Sequence, residues 1–144
     1  MYWEKRGGLW HHFTLTGTRL VDGEEPVCHV SLHEAQAFAA WSGARLHPAP
    51  AAVPPRAGSP GPVQMIGDAW EWTADAFRPY PGYRPGPLAA GQPLPPPPGW
   101  TALRGGSALT PADAVRRTTR LALPPDARWQ MTGIRLATDP GPNR

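Results

Sequence analysis

Hydrophobic positions recur with a helical period in one stretch of this chain and with an alternating period in several others. The helical stretch is VSLHEAQAFAAWSGARL, from Val30 to Leu46. Ser31 followed by Glu34 forms a capping box, Leu32, Ala35, Phe38, Ala39 and Trp41 supply an apolar face, and Gly43 stands where a C-terminal cap belongs. These signals predict a helix over residues 32–42. Near the start, YWEKRGGLWHHFTLTG alternates aromatic and polar residues around Arg6-Gly7-Gly8, which predicts a hairpin with Trp3, Leu9 and Phe13 toward the core. In the last third, WTALRGGSAL reads as a strand with a Gly-Gly bulge or close backbone approach. PADAVRR reads as a short helix and TGIRLAT as a final strand. The pattern predicts an α+β fold with short strands, few helices and long loops.

Proline interrupts this pattern twice. Residues 48–62 contain six prolines, and a second tract, PLAAGQPLPPPPG, covers 87–99. Neither a helix nor a central strand tolerates that density, so both are expected to be extended or disordered connectors. Between them lies VQMIGDAWEWTADAFRPYPGYRP, whose large rings predict a packed island. At 144 residues the chain is expected to form a single domain over 1–144, with a small core rich in tryptophan: seven Trp against three Phe and three Tyr.

Charge changes the picture more than composition does. Residues 1–75 carry five Lys/Arg against eight Asp/Glu, and residues 76–144 carry nine Arg against three Asp. Arginine's rigid fork suits carboxylates and phosphates, so the basic half admits an anionic ligand. No basic run or recognition helix points to nucleic acid. No apolar run approaches the ~20 residues that span a bilayer, and MYWEKRGG is not a signal peptide, so a cytoplasmic protein without membrane attachment is expected. Cys28 is the single cysteine, which excludes a disulfide framework. It also makes a poor nucleophile, because His29, its sequence neighbour, would point to the opposite face of a strand. The five histidines include His29 and His33, four apart, yet the predicted cap at Ser31 separates them, so a metal centre built from them is not expected.

Four ordered blocks, PVCHVSLHEAQAFAAWSGARL, GDAWEWTADAF, LRGGSALTP and TGIRLA, resemble the formylglycine-generating-enzyme/sulfatase-modifying-factor family, a variant of the C-type-lectin fold. Within it, WTADAFRPYPGYRP, VRRTTR and LPPDARWQMTGIRLA resemble the C-terminal domain of ergothioneine-forming sulfoxide synthases. That resemblance implies the substrate-pocket part of a non-haem iron enzyme that uses dioxygen to join a cysteine-type thiol to trimethylhistidine. It also implies that Fe(II) is held by histidines of a separate DinB-like helical domain, here expected on another chain or lost by truncation. The alternative is a catalytically inactive lectin-like binding or scaffold module, or a decayed remnant of the family.

Several departures accompany the resemblance. After GARL the family continues L-P-T-E-A-E-W-E, where this chain enters the proline tract at His47-Pro48. The tyrosine that one branch carries before L-R-G-G-S has Trp100 as its nearest aromatic counterpart, and the cysteine pair of the copper-dependent enzymes is absent. No catalytic residue is therefore assigned. The substrate-binding candidates are Trp72, whose ring suits a quaternary ammonium, Tyr80, Arg104, and, in the terminal LPPDARWQMTGIRLATD, Asp126, Arg128, Gln130 and Asp139. Asp68 and Glu71 match a loop that binds calcium in some family members, and their oxygens suit a hard cation.

Overall fold

In the computed structural model of the chain, the described residues are 3–48, 63–84, 96–116 and 118–138. The proline-rich stretches at 49–62 and 87–95, and Asp139, lie outside them.

Helix α1 (Leu32–Trp41) begins where the capping box places it: the Glu34 N–H donates to the Ser31 hydroxyl, and the Ser31 N–H donates to the Glu34 carboxylate. It ends as Gly43 turns into the left-handed region at φ +66°. The expected apolar face is only partly buried. Leu32, Ala35 and Ala39 form the inward stripe, whereas Phe38 lies on its flank and Trp41 is 82% exposed. At about 100° per residue, Trp41 points nearly opposite to Ala39.

The described residues fold into three sheets. Strands β1 (Trp3–Arg6), β2 (Leu9–Thr14) and β3 (Gly17–Leu20) form an antiparallel meander whose first turn is the expected Gly7-Gly8. Leu9, Trp10 and Phe13 are each more than half exposed, contrary to the core role expected of Leu9 and Phe13. The alternation marks two faces of a ribbon, but no other described helix or strand packs extensively against it. Strand β4 (Arg45–Leu46) pairs with β9 (Leu136–Ala137). The four-stranded sheet has the order β7 (Leu121–Leu123), β6 (Thr101–Arg104), β5 (Trp70–Ala76), β8 (Thr132–Ile134), antiparallel except for β5 and β8. The final strand expected over TGIRLAT is thus two strands in two different sheets, divided at Arg135.

Register gives the four-stranded sheet two unlike sides. Trp72 opposes Leu103, and Glu71 opposes Arg104. Because side chains alternate, Trp72, Leu103 and Leu123 face α1 and close the apolar core with Leu32, Ala35 and Ala39. Glu71, Thr73 and Arg104 are buried on the other side. The LRGG turn needs its glycines: a Cβ on Gly105, at φ +93°, would stand 2.7 Å from the Met65 carbonyl oxygen. The short helix expected in PADAVRR is a single 3-10 turn, Ala112–Ala114.

Candidate functional site

The sequence-derived candidates fall into separate groups. Trp72 belongs to the core: it has no exposed surface, and its indole N–H donates to the Val30 carbonyl at 2.8 Å. Its ring packs under α1 and does not line an open surface.

Asp126, Arg128 and Gln130 lie on the loop between β7 and β8, which is stapled to the start of α1. The Leu32 N–H donates to the Pro125 carbonyl at 2.9 Å, and His29 Nδ1 lies 3.1 Å from the Arg128 carbonyl oxygen. His29 takes φ +61° to make this contact, an uncommon conformation for a residue with a Cβ. The Arg128 guanidinium stands 3.3 Å from Glu34, and the Thr132 hydroxyl donates to the Val30 carbonyl at 2.7 Å. Asp126 and Arg128 are exposed and Gln130 half-buried. The loop therefore presents polar side chains from a backbone fixed by the same residues that cap α1. Glu34 ties the two functions together: burial raises its carboxyl, but the Ser31 hydrogen bonds and the Arg128 charge outweigh this and hold it below the usual value.

Tyr80 and Arg104 meet on the opposite side of the sheet. Arg104, 7% exposed, donates through Nη2 to the Tyr80 hydroxyl at 3.1 Å and through Nη1 to the carbonyls of Thr118 and Thr119. Arg120, absent from the sequence-derived candidates, completes the group. Its guanidinium lies 3.8 Å from the Tyr80 ring centre and 4.4 Å from that of Phe77, and Nη1 donates to the Arg78 carbonyl at 2.8 Å. Burial, with the neighbouring Arg104 charge, holds Arg120 below the ordinary arginine value, partly opposed by Tyr80. A cleft of about 560 Å³ opens beside these residues, bounded also by Asp75, Arg78 and Ala102.

A second cleft, about 440 Å³, is lined by Glu24, Glu25, Glu71 and Arg135. Glu71, 5% exposed, accepts from Arg135 Nε at 2.6 Å. His47 Nε2 lies 3.3 Å from the other carboxylate oxygen but too poorly aligned to hydrogen-bond, so that contact is electrostatic and operates when the imidazole is protonated. The calcium candidates are placed accordingly: the Glu71 carboxylate is engaged by Arg135, and Asp68 contributes its backbone carbonyl to the Ala108 N–H. Among the described residues, no three His, Cys, Asp or Glu side chains converge as metal ligands. His11 and His12 are adjacent on β2 and so face opposite ways. The described residues do not fit an iron centre.

Arg120 and Arg135 were not singled out from the sequence, Glu34 only as a capping residue and His47 only as one of five histidines. The excess of arginine in the second half was the one signal that pointed toward Arg120; nothing local marks its stacking on two rings 40 and more residues upstream.

One side of this sheet is an apolar core and the other carries buried charge between glycine-bearing loops. Residues 50–140 match the sulfatase-modifying factor enzyme 1-like domain, and the chain belongs to that family, with its α+β, C-type-lectin-like fold. It is similar to hercynine oxygenases of three mycobacteria. The protein of Mycolicibacterium thermoresistibile is 33% identical over 162 aligned positions, covering 81% of this chain and 36% of the relative. That of Mycolicibacterium smegmatis is 32% identical, covering 83% and 39%, and that of Mycobacterium tuberculosis 31%, covering 83% and 38%. The chain thus spans well under half the length of these relatives. The alignments also run longer than the chain's own 144 residues, so the relatives carry residues inside the matched span that this chain lacks. Among the described residues, no helix is long and apolar enough to cross a membrane.

Proposed function

We propose that this chain is a substrate-pocket domain of an ergothioneine-type sulfoxide synthase, acting on trimethylhistidine (hercynine) and a cysteine-type thiol with iron supplied by a separate DinB-like domain. The observation that carries this reading is the loop 124–130 in a chain similar to hercynine oxygenases. Its polar side chains stand on a backbone held by Pro125, His29 and Thr132, so the wall is ordered before any substrate arrives. In this role Arg128 and Asp126 offer opposite charges from one loop to a substrate that carries both. Gln130 adds an amide that can donate and accept. Iron, when present on the partner domain, supplies the dioxygen chemistry; the contribution of this chain is to bind and orient.

The test is reconstitution with ferrous iron, trimethylhistidine, a cysteine-containing thiol and oxygen, with and without a DinB-like domain. Product that appears only with the partner is the expected result. Turnover by the chain alone overturns the assignment of iron to a separate domain. Absence of product with the partner, together with no calorimetric binding of trimethylhistidine, overturns the enzyme reading and leaves a binding or scaffold module or a decayed remnant.

A further inference from the structure

We propose that the cleft between Tyr80, Arg104 and Arg120 is a binding site for a small organic carboxylate, a property of this chain that does not depend on the reaction proposed above. The charge is the first argument. Three arginines, Arg78, Arg104 and Arg120, border the cleft against a single carboxylate, Asp75. Arg104 is buried on the sheet, and no carboxylate is among the charges acting on Arg120, which feels Tyr80 and Arg104. Two guanidiniums brought together at partial burial repel, and an anion between them removes that cost.

Preorganisation is the second argument. Arg120 is held over two aromatic rings and hydrogen-bonded to the Arg78 carbonyl, contacts that restrict its rotamers. A ligand meeting such a fork does not have to order it.

Shape selects the class of anion. Alanines 74, 76 and 102 lie along the cleft, so small side chains leave an apolar floor beside the cationic rim. About 560 Å³ accommodates an amino-acid-sized molecule, whose hydrocarbon body lies on that floor while its planar carboxylate faces the arginines. Inorganic phosphate has no hydrocarbon body to place on that floor.

The experiment is titration of the chain with glutarate, and separately with inorganic phosphate, at low ionic strength, followed by calorimetry and by the Nε–Hε resonances of the arginines. Glutarate is expected to bind more tightly than phosphate and to shift Arg78, Arg104 and Arg120 without shifting Arg128 or Arg135. Arg120→Gln is expected to weaken glutarate binding about tenfold or more, the loss of one charge-assisted contact, and Arg116→Gln, an exposed position outside the cleft, by less than about twofold. Should Arg120→Gln fail to fold, the wild-type resonance map still decides. Shifts at Arg128 or Arg135 instead, equal effects of the two substitutions, tighter binding of phosphate, or no saturable glutarate binding each overturn the proposal.

Discussion

Two clefts open on the charged side of the four-stranded sheet, and they carry opposite charge. One gathers three arginines around a single carboxylate, the other three carboxylates around a single arginine. Their division begins at one cross-strand pair, Glu71 opposite Arg104, whose side chains share a face. Glu71 is taken by Arg135 from the segment between β8 and β9, and Arg104 by Tyr80 and two carbonyls from the loop before β7. The carboxylate side is closed on itself, since a buried acid meets a bidentate-capable cation at 2.6 Å. On the arginine side, Arg120 is held by rings and a carbonyl, groups that position a cation without neutralising it. Binding capacity follows from that difference and not from cleft size.

The contrast can be broken at graded cost. Trp72→Ala removes the side chain on which both halves rest and is expected to destabilise the chain by about 3–5 kcal/mol in urea unfolding. Glu71→Gln should cost about 2 kcal/mol, because it weakens a charged hydrogen bond and strands Arg135. Adding Arg135→Met should recover much of that loss, and a double-mutant cycle without coupling would refute the self-closed description. Ser31→Ala, on the α1 side, should cost about 1 kcal/mol and leave both clefts unchanged.

The same cap sets a pH dependence. The folded Glu34 carboxyl lies below its ordinary value of 4.5. Its contribution is therefore complete above that value and is lost as the pH falls through the lower folded one. Melting temperature measured from pH 6 down to pH 3 should fall less steeply for Ser31→Ala than for the wild type. Smaller again is Arg120→Met, expected to cost about 0.5–1 kcal/mol, the scale of a cation–π contact. A loss matching that of Glu71→Gln would mean that Arg120 is paired as firmly as Arg135 and that the two clefts do not differ.

What could be read from the sequence was whatever short-range chemistry fixes. The capping box and the Gly7-Gly8 turn depend on residues within a few positions of one another, and both are present; the close approach at Gly105 shows in the sequence as paired glycines, but not its neighbour, the distant Met65 carbonyl. The inward face of α1 was only half legible, since Phe38 and Trp41 are apolar but stand away from the core the helix packs on. The meander makes the same point more strongly: alternation says which residues share a face, not whether anything covers it. The candidate site was legible as residue types and not as a place. Tyr80 and Arg104 belong together, but Asp126 and Arg128 stand across the sheet, and Trp72 lies beneath it. Arg120 escaped notice because its partners, Phe77 and Tyr80, lie beyond a stretch of chain with no periodic signal to bridge.

The parallel pairing of β5 with β8 also bears on how the chain is made. Trp70 sits beside Thr132, so β5, one of the two inner strands, cannot acquire its second neighbour until sixty-odd further residues have left the ribosome. Until then Trp70 and Trp72 have one flank open, and the nascent domain presents an unpaired strand with tryptophan at its surface. A late-arriving strand of three residues, Thr132–Ile134, is what seals it, so the order of synthesis leaves that flank among the last parts of the sheet to be covered.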